Sequence, residues 1–158
     1  MRIDVTRDVF KLAQVFTIAR GSRTEAKVLT LKLSDGDHMG WGECVPYARY
    51  GESLESVIDE IMGLPADFTR EGLYDLLPAG AARNAADCAL WDLEAKRAGT
   101  SVWQLAGLKA PGPEITAYTL SLDTPEAMQA QAEKHAFRPL LKIKLGTPDD
   151  MPRLEAVR

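Results

Sequence analysis

The sequence predicts an α+β chain in two parts. An antiparallel meander of three strands is backed by helices, and the opening units of a parallel strand–helix array follow. Three observations predict this. Residues 26–33 (AKVLTLKL) alternate at period two and run into Asp35-Gly36, a hairpin signal. Ala82, Ala85, Ala86, Ala89, Leu90 and Leu93 form an apolar stripe at helical spacing. After the Pro/Gly segment 109–113 (KAPGP) the pattern becomes strand, helix, strand, helix, which implies parallel strands joined by helical crossovers.

Each element has a local reason. Residues 5–12 alternate loosely and favour an extended segment. A second, 15–18, leads into a glycine-bearing loop, Ala19-Arg20-Gly21-Ser22-Arg23. In 26–33, Leu29, Leu31 and Leu33 face one side and Val28, Thr30 and Lys32 the other, the mark of a half-buried strand. The return strand is 38–44. Ser53 caps a helix through about Met62, with Leu54, Val57, Ile58 and Ile61 inward and Gly63 closing it. Thr69 caps a short helix ending at Leu77, before Pro78. The alanine-rich helix of residues 79–99 ends at Gly99, and its small side chains allow close approach to a neighbour. Ser101 caps one more short helix.

Segment 109–113 is the domain boundary, dividing residues 1–108 from 114–158. Residues 115–122 are extended. Thr124 caps a helix from Pro125 to about Ala136, with proline at its first position. Residues 140–145 form a strand between Pro139 and Gly146, and a last helix begins near Pro148 and is still running at Arg158. Two parallel strands leave open edges and poorly covered faces. The expectation is therefore that this chain is the N-terminal part of something longer, truncated or paired with a second fragment. At 158 residues it is too short for a complete eight-stranded α/β barrel, which needs roughly 200 residues or more.

Composition narrows the function classes. Lysine plus arginine number 19 and aspartate plus glutamate 23, a net charge of −4, and no long Lys/Arg run occurs, so nothing marks a nucleic-acid footprint. No apolar run approaches a membrane span, and the charged N-terminus lacks the apolar core of a signal peptide, so the sequence reads as cytoplasmic. Cys44 and Cys88 sit among apolar neighbours without CxxC spacing and read as reduced core cysteines.

The sharpest local feature is Leu141-Lys142-Ile143-Lys144-Leu145. Residues two apart in a strand share a face, so the lysines project together. That pattern suits a solvated or guarded edge strand. It equally suits two ammonium groups at the C-terminal mouth of a parallel barrel, where mutual repulsion in a partly desolvated site supplies a neutral lysine base. Arg20 and Arg23 suit a carboxylate clamp or a basic surface loop. Residues 46–53 (PYARYGES), with Tyr47, Tyr50 and a glycine, suit a mobile lid or an ordinary connection. Thr119 and Ser121 share a face at a strand end, where hydroxyls contact substrate or satisfy local backbone. Gly40-Trp41-Gly42 is no dinucleotide fingerprint, because no helix opens there. His38 and His135 lack neighbouring ligand-type residues, and Asp87 is spaced to pair with Arg83.

In this order, GWGE (40–43), ARNAADCALWDLEAK (82–96), the linker and LKIKLG (141–146) resemble the enolase superfamily, specifically its muconate-lactonizing subgroup. Within it, FTIARGSRTEA (16–26), GECVPYARYGES (42–53) and LPAGAARNAADCALWDL (77–93) are similar to the dipeptide epimerases acting on L-Ala-D/L-Glu. The resemblance implies an α+β capping domain followed by the first strand–helix units of a modified (β/α) TIM-like barrel. It also implies α-proton abstraction and return through an enediolate stabilised by Mg²⁺. Lys144 would be the acid/base on one face, and Lys142 would lower its pKa and contact the substrate carboxylate. Arg20 and Arg23 would recognise the glutamyl carboxylate, and Tyr47 and Tyr50 would close over the site. The family's three acidic metal ligands and its opposing lysine fall beyond Arg158, so the chain alone is expected to be inactive and to bind Mg²⁺ poorly. The implied partners are a small dipeptide and either the missing C-terminal half or further copies in a homo-oligomer, with no nucleic acid or membrane. The same lysines would serve an N-acylamino acid racemase, a cycloisomerase or a succinylbenzoate synthase. A non-catalytic capping-fold binding fragment is the reading from another class.

Overall fold

The computed structural model describes residues 1–146, 148 and 150–158. They form two compact units, one of residues 1–9 and 27–111, the other of residues 10–26 and 112–158.

The three-stranded sheet has the order β1 (Arg2–Ile18), β2 (Gly21–Asp35), β3 (His38–Cys44), and the tip of its β1–β2 hairpin, residues 10–26, counts with the second unit. A two-residue connection can join only antiparallel neighbours, so β1 and β2 form a hairpin. The two extended segments expected at 5–12 and 15–18 are one strand, since no glycine or proline interrupts them. The second hairpin pairs Leu29 with Cys44 through Asp35 with His38. Its turn is Gly36-Asp37, with φ +57° at Gly36 and no positive φ at Asp37, the backbone order of a type II′ turn.

From Leu29 to Leu33 the alternation read in β2 is the alternation observed, whereas Val28, on the opposite face, is buried as well. Leu29, Leu31 and Leu33 are fully buried. On the opposite face Thr30 donates to the Asp8 carboxylate (2.7 Å), and Lys32 lies between Asp4 (3.5 Å) and the Trp41 ring (5.7 Å). These polar groups pair across strands rather than entering the core.

Four helices follow. Helix α1 (Leu54–Met62) starts at a capping box in which Ser53 and Ser56 bond reciprocally. Its C-cap, Gly63, has φ −79°, so the expected glycine stop works here without a left-handed backbone. Helix α2 (Arg70–Leu76) is capped by Thr69, whose hydroxyl accepts from the Gly72 N–H. Helix α3 (Ala81–Arg97) buries Ala82, Ala85, Ala86, Ala89, Leu90 and Leu93, the whole expected stripe. It ends in a Schellman motif: Gly99 takes φ +63°, Thr100 N–H donates to Ala95 C=O (2.9 Å) and Gly99 N–H to Lys96 C=O (3.2 Å). Helix α4 (Val102–Leu105) begins with a second capping box, Ser101 with Gln104.

The meeting of α3 with β3 explains the two glycines of GWG. A Cβ on Gly40 would overlap the Ala89 carbonyl oxygen, and one on Gly42 the Ala85 carbonyl oxygen. Helix backbone thus lies directly on strand backbone, with alanine opposite glycine. Polar bonds hold the rim: Asp92 accepts from Trp41 N–H (2.8 Å) and pairs with Lys96 (2.6 Å), which donates to Met39 C=O (3.0 Å).

Two side-chain expectations on α3 are corrected. Cys88 is exposed rather than in the core, because it points away from the alanine stripe; only Cys44 is buried. Arg83 lies over the Tyr74 ring (5.0 Å) and donates to Leu77 C=O (3.4 Å) instead of pairing with Asp87.

The second unit holds β4 (Tyr118–Leu120), α5 (Pro125–Lys134), β5 (Leu141–Ile143) and α6 (Asp150–Val157). The two strands pair in parallel, as the alternation predicts. Both are shorter than the expected 115–122 and 140–145, and residues 113–117 are exposed coil. Thr124 caps α5, with Pro125 in its first turn. Leu120, Met128 and Ala132 are buried in this unit. No helix among the described residues is long and apolar enough to cross a membrane.

Candidate active site

The register of β4 and β5 places the hydroxyl and ammonium candidates on one face. Thr119 stands beside Lys142, and Lys144 N–H donates to Leu120 C=O (3.1 Å), carrying the pairing one step past the strand. Strand alternation then puts Thr119, Ser121, Lys142 and Lys144 on the same side. Lys142 is exposed and Lys144 half-buried.

The tip of the β1–β2 hairpin belongs to this same unit and docks at these strand ends. Leu122 N–H donates to Thr17 C=O (3.0 Å), and Ser121 Oγ donates to Val15 C=O (3.4 Å). Thr17 Oγ1 and Ser22 Oγ share a hydrogen bond across the hairpin (2.9 Å). A Cβ on Gly146 would overlap Ala19 Cβ. The turn carrying Arg20 therefore lies against the chain two residues past Lys144. The expected five-residue loop 19–23 is corrected to the two-residue turn Ala19-Arg20, with Arg23 already in β2. Ser121 thus spends its hydroxyl on the backbone of the docked hairpin, 106 residues away in the chain.

Tyr47 and Tyr50 lie in the first unit. A single 3-10 turn (Ala48–Tyr50) holds them, with Tyr50 N–H donating to Tyr47 C=O (2.8 Å) and ring centroids 5.6 Å apart. Tyr50 is 76% exposed, whereas Tyr47 is half-buried. Glu52 follows them and accepts from two backbone N–H groups, Tyr47 (2.8 Å) and Ala81 (2.7 Å). Sequence reading passed over Glu52, although a helix opening at Gly80 with no capping side chain of its own was a signal that a cap must come from elsewhere. Burial, then Glu52 and Glu43, push the nearby Cys44 thiol from its ordinary 9.0 up to about 11, so it is not a poised nucleophile.

Among the described residues no three His, Cys, Asp or Glu side chains converge to hold a metal ion. Near the lysine face, Asp123 is committed: its carboxylate accepts from Thr124 N–H (2.8 Å) and its carbonyl from Arg153 (2.6 Å). The described carboxylates do not by themselves make up a Mg²⁺ ligand set.

Residues 1–107 match the mandelate racemase / muconate lactonizing enzyme, N-terminal domain. The chain belongs to this family of the enolase superfamily. It is 44% identical over 162 residues to the L-Ala-D/L-Glu epimerase of Escherichia coli (strain K12), covering 99% of this chain and 50% of that protein. It is 42% identical over 136 residues to an N-acetyl-D-glutamate racemase of a Pseudoalteromonas species, covering 82% and 43%. Among solved structures, an enolase family member from Agrobacterium tumefaciens with homology to dipeptide epimerases, bound to sodium and L-Ala-L-Glu, superposes with a TM-score of 0.94. It is 50% identical, covering 99% of this chain and 49% of that one. A dipeptide epimerase from Enterococcus faecalis V583, complexed with Mg and L-Leu-L-Tyr, gives 0.85 at 27% identity, covering 99% and 49%. The chain spans about half the length of the curated relatives it matches. The antiparallel sheet with its helices is the capping domain of this mandelate racemase/muconate lactonizing family.

Proposed function

We propose that the whole protein is a cytoplasmic isomerase, a dipeptide epimerase of the L-Ala-D/L-Glu type, with residues 1–108 as capping domain and 114–158 as the start of its barrel. The observation that carries the reading is the parallel register of β4 and β5, which sets Lys142 and Lys144 on one face beside the docked turn of Arg20. Likeness to named epimerases across nearly the whole chain supports it.

Epimerisation breaks the Cα–H bond of the second residue and remakes it on the opposite face. Lys144 Nζ takes or returns the proton on one face. A second acid/base, supplied by side chains outside residues 1–158, serves the other. The Lys142 ammonium binds the carboxylate beside the reacting carbon. Arg20 and Arg23 bind the glutamyl side-chain carboxylate through forked N–H donors. Tyr47 and Tyr50 bind substrate, and Thr119 lines the lysine face. When bound by carboxylates from outside this chain, Mg²⁺ supplies the positive charge that an α-carboxylate carbanion requires.

A second reading is favoured by one observation, the 42% identity to an N-acetyl-D-glutamate racemase. Both substrates are N-acylated glutamates, so the arginine clamp serves either; the free amino group and extra methyl of L-Ala-L-Glu distinguish them. The test is α-proton exchange in deuterated water. The whole protein is expected to exchange L-Ala-L-Glu faster than N-acetyl-L-glutamate, and residues 1–158 alone to exchange neither. The reverse preference supports the racemase, no exchange of either removes both readings, and epimerisation by residues 1–158 alone removes the need for an outside acid/base.

A further inference from the structure

We infer that Glu52 is the positioning residue of the substrate-binding tyrosines: its carboxylate ties the Tyr47–Tyr50 turn to the N-terminus of α3. The inference rests on the reading of Tyr47 and Tyr50 as substrate contacts.

The two oxygens do different jobs. Oε2 accepts the Tyr47 N–H at 2.8 Å, and Oε1 accepts the Ala81 N–H at 2.7 Å. Ala81 is the first residue of α3, and the preceding Gly80 has no side chain with which to cap it. The open N–H groups and dipole of the helix therefore favour a carboxylate here. Gly80 also makes room: a Cβ there would stand 2.8 Å from Glu52 Oε1, too close for an undisturbed contact.

The anchor is rigid and the cargo is not. Helix α3 is sealed against the sheet through Gly40 and Gly42, so its N-terminus is a fixed point of the unit. The tyrosine turn is exposed at Ala48, Arg49 and Tyr50, and none of the three contributes to the core. One carboxylate thus sets the Tyr47 backbone relative to a fixed helix end. Both bonds to a charged acceptor are of the stronger kind. No single neutral side chain of the same length accepts both N–H groups: a glutamine has one carbonyl oxygen and would turn its NH₂ toward the other donor.

The alternative is that Glu52 only caps α3. Two variants of the whole protein separate these roles. Glu52→Ala removes both bonds. Adding Gly80→Ser in that background gives α3 a hydroxyl cap of its own, in an extended backbone that serine adopts and in space the removed carboxylate leaves. For E52A, KM for L-Ala-L-Glu is expected to rise about tenfold with a smaller change in kcat. Hydrogen exchange at the Tyr47 amide should quicken by about tenfold or more, and Tm should fall. For E52A/G80S, Tm is expected to recover while KM and Tyr47 exchange stay at the E52A values. Recovery of all three together, or Tyr47 exchange unchanged in E52A, overturns the inference. Tyr47 exchange reads the tie without substrate. Should wild type fail to turn over the dipeptide while E52A still frees Tyr47, the substrate reading falls and the structural tie stands.

Discussion

The α3–β3 contact and the β4–β5 strand ends are built on opposite terms. At the first, two backbones meet over glycine and alanine, every inward group is apolar, and charge is confined to the Asp92–Lys96 rim. At the second, short strands are held by backbone hydrogen bonds from the hairpin tip, and lysines stand on one face with little apolar cover. Close packing tolerates almost no change of side chain. The strand ends tolerate change structurally, because their order comes from main-chain bonds, and that leaves their side chains available for chemistry. The first region should therefore break by stability and the second by activity.

The largest effect is expected at Lys144. K144A in the whole protein should lower the rate of L-Ala-L-Glu epimerisation by about 10²–10⁴-fold, with Tm nearly unchanged. A large fall in Tm would mean that the lysine holds the strand ends together. Next comes the reverse case. G42A inserts a methyl into the Ala85 carbonyl and should cost about 1–3 kcal/mol or more in chemical denaturation. KM should stay near wild type in the protein that remains folded. Third, R20A and R23A should each raise KM for glutamyl dipeptides about tenfold relative to dipeptides with a neutral second residue, without loss of stability. Equal loss on both substrates would remove the arginines from specificity.

The smallest effect concerns the buried thiol. The Cys44 pKa is higher folded than unfolded, so the stability it contributes is complete below about pH 9 and is lost as pH rises toward about 11. Denaturation midpoints should fall across that window and fall less in C44A. Cys88, exposed, should react with an alkylating reagent in the folded protein while Cys44 does not.

Much of the fold was legible because its signals are local. Ser53, Thr69, Ser101 and Thr124 are all N-caps, and Gly99 ends α3, as their positions in the chain imply. A hydroxyl before a helix or a glycine after one acts within a turn of itself, so no distant partner is needed to read it. The lysine pair was legible for a similar reason, since strand periodicity alone puts both on one face. What failed was anything set by a distant partner. The loop 19–23 was drawn too long because the hairpin continues to Ile18 and resumes at Gly21. Cys88 was placed inside because its neighbours in sequence are apolar, although its side of α3 is not. Glu52 was passed over because Ala81 lies 29 residues away.

By itself, then, the sequence determined where the helices are capped, which face of each is apolar, and which residues carry charge on a common face. Those properties follow from capping, turn geometry and periodicity over a few residues. Only the tertiary structure decided why Gly40 and Gly42 must be glycine, where the Arg20 turn rests, and that Glu52 joins Tyr47 to α3. Each depends on two backbone segments, far apart in the chain, approaching within a hydrogen bond or a van der Waals radius. That distance is a property of packing, and no pattern in a single segment encodes it.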